Sequence, residues 1–289
     1  MAPQGSAARG AGLTPATTAS RVGRDGALAL RFERRGDRSV LAGCRWRLPL
    51  QVLAPLALDD AAAIVSILNP TGGLVGGDRL VVDVAVGAGA HACLTTPSAT
   101  KVYRTAVGPA EQAVRLTLAP GARLEWVPDH TIPFAGAALR QRVEAEVPEG
   151  AALVLVDAFA AGRVARGEAW RFALLDSALS LRDAHGWLLH DRLVLRDGAP
   201  GPGLGSAEGR PYVATVAVIA DAGLAAFVDD VTALGGDDAE VGAGLLPRRG
   251  ALVRCLAADA PALARTLDGV WAAARRRVLG RPPLALRKP

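Results

Sequence analysis

The segment Leu80-Val81-Val82-Asp83-Val84-Ala85-Val86-Gly87-Ala88-Gly89-Ala90-His91-Ala92-Cys93-Leu94-Thr95-Thr96 decides the fold class. Val82, Val84 and Val86 alternate with other residues, the period of a half-buried strand. Gly89-Ala90 interrupts that run, and a second strand follows that ends in polar residues. The same plan returns from Val114 to Asp129, turning at Gly121-Ala122, and from Val143 to Asp157, turning at Gly150-Ala151. The turns recur at spacings of 32 and 29 residues. Repetition on that scale predicts a stack of β-hairpins whose strand ends, Thr95-Thr96, Asp129 and Asp157, converge on a common rim.

Strands are predicted to continue at Arg171 to Leu175, Ala178 to Arg182, Trp187 to Arg196 and Tyr212 to Ile219. Pro200 to Pro211, rich in Gly and Pro, reads as a flexible excursion between strands. Helical spacing of apolar residues appears late, in Ala222 to Leu234 and in Asp259 to Leu279. The second of these has Arg275 to Arg277 in its last turn, where cations suit the helix dipole. The fold class is therefore mainly β, a single elongated domain of stacked β-hairpins and strands over residues 26–289, with about two α-helices in its C-terminal half. Met1 to Asp25, rich in Ala, Gly, Ser, Thr and Arg, reads as a disordered N-terminal extension with no secretory apolar core.

Composition narrows the function classes. The chain has 289 residues and 51% hydrophobic content, enough to bury a core without staples. No apolar run reaches the length of a membrane span, so no membrane is expected as a partner. Cys44, Cys93 and Cys255 lie far apart with no CxxC pairing, which argues against a disulfide framework or zinc cluster and for a reducing cytoplasm. The net charge of +5 and pI of 9.7 come from scattered arginines. With 4% aromatic residues and no recognisable module, no nucleic acid is expected as a partner; a basic surface serves equally to dock an acidic protein.

Upstream of the first strand pair lies Asn69-Pro70-Thr71-Gly72-Gly73-Leu74-Val75-Gly76-Gly77-Asp78. Gly72, Gly73, Gly76 and Gly77 make this backbone too permissive for a regular element, so it reads as a positioned loop that presents Asp78. It fails as a phosphate-binding loop, because an acid and a strand follow where Lys-Ser/Thr and a helix are needed. Ser98 lacks a nucleophile elbow, and His91, His130, His185 and His190 show no helical pair; His91 reads as packed within a strand. Lys101 stands out because, of 33 basic residues, only Lys101 and Lys288 are lysine. Either it is an ordinary surface residue or its site needs a compact ammonium in place of a planar fork.

Asp157 follows the very apolar Leu153-Val154-Leu155-Val156, where an ionised acid is costly unless paired, hydrogen-bonded or bound to a cation. Two readings stay open for Asp78 and Asp157: burial in a pair with Lys101 or an arginine, or a polar passage lined by Asp78, Thr100, Lys101 and Asp157. In the second, Asp78 and Asp157 hold a divalent cation weakly and transiently, with no permanently bound cofactor. Gly162-Arg163 to Gly167-Glu168 places Arg163 and Glu168 five apart around a turn, spaced to pair and fix the loop after Asp157.

Taken in order, these motifs resemble the UreD (UreH) family of urease accessory proteins, over about Ala27 to Arg287. The resemblance rests on Pro70 to Asp78, Leu94-Thr95-Thr96 with Ala99 to Arg104, Leu124 to Asp129, Gly162-Arg163 to Gly167-Glu168, and Val253-Arg254-Cys255-Leu256 with the Trp271 helix. The chain departs from the family's usual Pro-Arg-hydrophobic-Trp close, ending Ala285-Leu286-Arg287-Lys288-Pro289. The resemblance implies a protein without turnover of its own, which binds apo-urease and a UreF-class protein and, through it, the UreG-class GTPase. It further implies transient Ni²⁺ passed through an internal tunnel, with Asp78, Thr100, Lys101 and Asp157 at the tunnel positions. Two alternatives belong to other classes. One is a carboxylate-dependent hydrolase on a β scaffold, with Asp78 and Asp157 as acid and base, although the chain is poor in aromatics for a cleft. The other is a scaffold without metal traffic.

Overall fold

In the computed structural model, which describes residues 24–56, 58, 60–196 and 207–286, two sheets face each other and the chain winds between them. A hairpin of β1 (Asp25–Arg35) and β2 (Arg38–Arg47) leads to β3 (Gln51–Val52) and β4 (Ala63–Leu68). Three coils follow: β5 (Arg79–Val86), β6 (His91–Thr95) and β7 (Thr100–Val102); then β8 (Ala110–Leu118), β9 (Arg123–Trp126) and β10 (Thr131–Pro133); then β11 (Ala138–Glu146) and β12 (Ala152–Ala160). The rest comprises β13 (Leu174–Asp183), β14 (Gly186–Arg196), β15 (Tyr212–Ile219), helix α1 (Leu224–Thr232), β16 (Ala239–Leu245), β17 (Gly250–Ala257) and helix α2 (Ala260–Ala274). One sheet runs β14-β13-β11-β8-β5-β1-β2 and the other β16-β17-β15-β12-β9-β6-β4-β3.

The architecture is mainly β, with stacked strands and both helices in the C-terminal half, as the sequence predicts. The strands flanking each Gly-Ala turn, however, do not pair as a hairpin. One joins each sheet, and pairing runs in parallel to the next coil: Arg79↔Glu111 and His91↔Arg123, then Val143↔Val114 and Ala152↔Arg123. Those offsets are the 32- and 29-residue spacings of the turns, so the sequence repeat is the coil itself. The turn chemistry explains the difference. Gly89, Gly121 and Gly150 are left-handed (φ +65°, +75°, +77°) at the third position of turns closed by Ala90, Ala122 and Ala151 N–H groups. A positive φ there, with Pro120 before Gly121, is the type II pattern, which splays strands where the primed turns of hairpins would align them. The corners stack, since a Cβ added to Gly150 or Gly121 would lie 3.6 Å from the backbone nitrogen of Gly121 or Gly89.

The two sheets differ in how they are covered. β5 alternates because only one face is buried, giving inward rows such as Leu28, Leu80, Val82 and Val114. Each fully buried side chain of that kind contributes about 1.5–3 kcal/mol. β12 is apolar on both faces because its outer face, with Val154 and Val156, meets α2, with Leu263 and Val270.

Local details revise several expectations. The predicted strands Arg171 to Leu175 and Ala178 to Arg182 merge into β13. The polar interruption at Asp176 faces outward, where Arg142 and Arg192 clamp it. Helix α2 is capped by Asp259, whose carboxylate accepts from Ala262 N at 2.7 Å, and it closes in a π-turn over Arg275–Leu279. Arg275 is not a solvent cation at a helix end. The π-turn carries it inward, where it is fully buried and donates to Glu125 Oε1 (2.7 Å), Asp60 and Pro282 O. Glu125 also accepts from Trp271 Nε1 at 2.5 Å and contacts His91 Nε2 at 2.7 Å, so the buried histidine belongs to the joint between α2 and the coils. The expected extension falls outside the described residues except for its end, Asp25 opening β1; residues 200–206 of the Gly/Pro excursion also lie outside them.

Candidate functional site

On the side opposite the Gly-Ala corners, the chain returns from the second sheet to the first through longer loops. β7 and β10 pair there in parallel, Thr131↔Thr100, and Leu74 bridges to Val102, so the loops stack as a third wall. Between this wall and the two sheets lies a cavity of ≈ 160 Å³. Thr96, Asp129 and Asp157, ends of three successive coils, all line it, as the rim argument predicts; Thr95 is buried beside it, donating to Val127 O at 2.8 Å. Thr96 Oγ1 accepts from Asp129 N at 2.9 Å, tying two coils together at the opening.

Asp157 points inward on β12, in the series that otherwise reads Leu153, Leu155 and Phe159. Its Oδ1 accepts from Gln141 Nε2 at 2.7 Å and its Oδ2 from Ser177 Oγ at 2.8 Å. Burial pushes its carboxyl up to about 6; the two hydrogen bonds and Arg254 pull the other way. No ion pair to it exists among the described residues, so of the two open readings the neutralising salt bridge is not realised. What remains is a half-buried carboxylate held by neutral donors beside a cavity.

Thr100 and Lys101 line the same cavity, with Lys101 exposed, as do Gly72 and Gly73. Asp78 does not. It is 3% exposed, its Oδ2 accepts from Val75 N at 2.9 Å, and its Oδ1 is buried without a hydrogen-bond partner. Burial again raises its carboxyl, against the Val75 bond. Asp78 thus closes the loop that forms the cavity wall. Gly73 permits that wall, because a Cβ there would run into the Lys101 carbonyl and lie 2.9 Å from the Tyr103 ring. Gly76 packs likewise on Thr105 and Gly108, and Gly77 takes a left-handed φ of +84°. Arg163 and Glu168 pair through two bonds, 2.7 and 2.5 Å, beyond the cavity, with the guanidinium 4.3 Å from the Phe134 ring centre.

The residues that hold Asp157 were not among the candidates. Gln141 and Ser177 occupy inward positions of β11 and β13. Their signal was present: a polar residue in the apolar phase of an alternating strand, as in Leu139-Arg140-Gln141-Arg142-Val143. Chemically, the site offers scattered oxygen donors and no closed cage. Among the described residues no group of three or more His, Cys, Asp or Glu is placed to hold a metal, and no helix is long and apolar enough to cross a membrane.

Comparison with known proteins points to one family. The family model described as UreD urease accessory protein matches residues 24–289. The chain is 36% identical over 279 residues to a urease accessory protein UreD of Alkalilimnicola ehrlichii, covering 94% of each chain. It is 35% identical over 267 residues to the UreD of Actinomyces naeslundii, covering 91% of this chain and 98% of that one. With the UreD of Deinococcus radiodurans it shares 34% identity over 279 residues, 95% of this chain and 98% of that one.

Proposed function

The chain belongs to the UreD family of urease accessory proteins, and from that premise we propose that it carries Ni²⁺ toward the urease active site through the inter-sheet cavity. In this reading it is a maturation factor without turnover of its own. It binds apo-urease and a UreF-class protein, through which a UreG-class GTPase joins the complex, in the cytoplasm. Cys44, Cys93 and Cys255 form no disulfide with one another, which suits that compartment.

The observation that carries the reading is Asp157: a half-buried carboxylate on the wall of the inter-sheet cavity, held by an amide and a hydroxyl instead of a cation. With its carboxyl at about 6 it is ionised near neutral pH, ready to attract a dication. Nickel prefers imidazole and thiolate to oxygen, so a lone carboxylate with hydroxyl neighbours holds it weakly and releases it quickly. Thr100 supplies a hydroxyl at the cavity, and the exposed Lys101 sets a positive charge beside it. Asp78 holds the Gly72–Leu74 wall, and its unpartnered Oδ1 offers a second transient donor behind that wall. The hydrolase alternative needs two acids across one cleft, and only Asp157 of the pair lines this one.

The test is reconstitution with apo-urease, UreF- and UreG-class partners, nickel and bicarbonate. Asp78→Ala and Asp157→Ala are expected to assemble like the parent and to activate urease less. Normal assembly with normal activation in both variants would reject the passage.

A further inference from the structure

The returning loops that form the third wall repeat a position as regularly as the corners do. Gly72, Tyr103, Phe134 and Arg163 follow one another at intervals of 31, 31 and 29 residues, one in each passage from the second sheet back to the first. Backbone bonds hold neighbouring loops together, Tyr103 N to Leu74 O at 2.8 Å and Phe134 N to Val102 O at 2.9 Å. The side chains then touch in order. Tyr103 Oη donates to Gly72 O at 3.3 Å, and its ring lies 2.9 Å from where a Cβ on Gly73 would stand. Phe134 meets that ring edge-on, with centroids 5.2 Å apart and planes at 80°. Over Phe134 lies the Arg163 guanidinium, which Glu168 holds by two bonds.

A surface ion pair is a weak source of stability, yet the backbone bends hard to make this one. Gly162 takes a φ of +137°, and a Cβ there would lie 2.5 Å from Glu168 O. Trp170 sits at φ +62°, an outlier for so bulky a side chain, and is kept there by its N–H bond to Ala161 O at 2.7 Å. A planar fork gripped at two points keeps its plane, so the guanidinium stays over the ring, whereas an unpaired arginine would swing into solvent.

We infer that Arg163 and Glu168 are positioning residues for the glycine wall of the cavity. The pair fixes Phe134, Phe134 fixes Tyr103, and Tyr103 pins the Gly72–Leu74 segment that lines the cavity. The inference deepens the passage reading above, in which this wall bounds the site. It gives the Gly162-Arg163 to Gly167-Glu168 motif a task three loops away from its own place in the chain.

The chain's only tyrosines are Tyr103 and Tyr212, so 3-fluorotyrosine built into the full chain gives two fluorine resonances, assigned with Tyr212→Phe. Arg163→Met and Glu168→Ala are each expected to move the Tyr103 resonance roughly half or more of the way to its position in urea, as the ring loses a fixed neighbour. The Tyr212 resonance, from a ring that meets His130, is expected to hold still. Arg163→Lys is expected to leave the Tyr103 resonance displaced, because an ammonium has no fork to lie flat over Phe134. A Tyr103 resonance unmoved in Arg163→Met and Glu168→Ala would overturn the inference. So would a parent-like spectrum in Arg163→Lys, which reduces the contact to a plain charge pair, or equal movement of both resonances, which marks general loosening. Failure here leaves the activation result for Asp157→Ala standing, whereas normal activation in that variant rejects the passage whatever the fluorine spectra show.

Discussion

Replacing Asp157 by Asn should stabilise the protein while impairing it. Its carboxyl is pushed from an ordinary 3.8 up to about 6, chiefly by burial. Holding it ionised near pH 7.5 therefore costs the fold about 3 kcal/mol, at about 1.4 kcal/mol for each pH unit between the two values. Asn keeps the size and both hydrogen bonds: its oxygen accepts from Gln141, and its amide donates to Ser177 once that hydroxyl rotates. Removing the charge should raise the melting temperature by roughly 6–12 °C, since a kcal/mol is worth about 2–4 °C in domains approaching this size. The sign fixes the pH dependence. The folded state binds the proton more tightly, so the parent loses stability as pH rises from about 3.8 to about 6 and is level above that. The gap between variant and parent should open across that window and be absent below it. Meanwhile, losing one charged donor, worth about 1.5–3 kcal/mol, should slow urease activation roughly ten- to a hundredfold. Scanning calorimetry from pH 4 to 8, beside the activation assay, checks both halves. An Asn variant that melts at or below the parent near pH 7.5, or whose advantage ignores pH, would refute the account of why this carboxylate is there.

Asp176 should behave in the opposite sense. The Arg192 and Arg142 guanidinium groups hold its carboxyl down at about 2, so Asp176→Asn should cost about 1–2 kcal/mol at neutral pH, discounted for the half-exposed arginines. That loss should shrink as pH falls from about 4 toward 2 in urea titrations. Glu125→Ala, which strands Arg275 and Trp271 in the interior, should cost about 3–5 kcal/mol and lower the urea midpoint without changing the slope. Gly73→Ala should cost about 1–3 kcal/mol, because its Cβ meets the fixed Lys101 carbonyl and not a side chain that can move aside. In native labelling, exposed Cys44 should react while Cys93 and Cys255 stay protected, burial having pushed the Cys255 thiol up to about 12.

The coil was legible in the sequence and its pairing was not. Spacing of Gly89, Gly121 and Gly150 marks the repeat, but alternation in Val82, Val84 and Val86 is the same whether a strand pairs with its neighbour or with its counterpart one coil on. The distinction lay in the turns, where Pro120-Gly121 favours a corner over a hairpin. Among the candidates, Asp157, Thr100, Lys101, Gly72 and Gly73 meet at one cavity, while Asp78 serves the wall behind it. Gln141 and Ser177 were hidden because each is one polar residue in the apolar phase of its strand, and only register across the sheets brings both to Asp157. Arg275 misled for a related reason: a helical wheel places it in the solvent run Arg275-Arg276-Arg277, and one π-turn moves it to Glu125.

The matched corner offsets leave the coils with one place where their lengths can differ. Between β6 and β8 there are 14 residues and between β9 and β11 there are 11, a difference of three that equals the difference between the two repeat spacings. That three-residue difference is thus absorbed wholly at the loops that wall the cavity and not at the glycine stack. Such a body can change the length of the segments around its cavity while its frame keeps the same dimensions, so remodelling of those loops need not disturb folding.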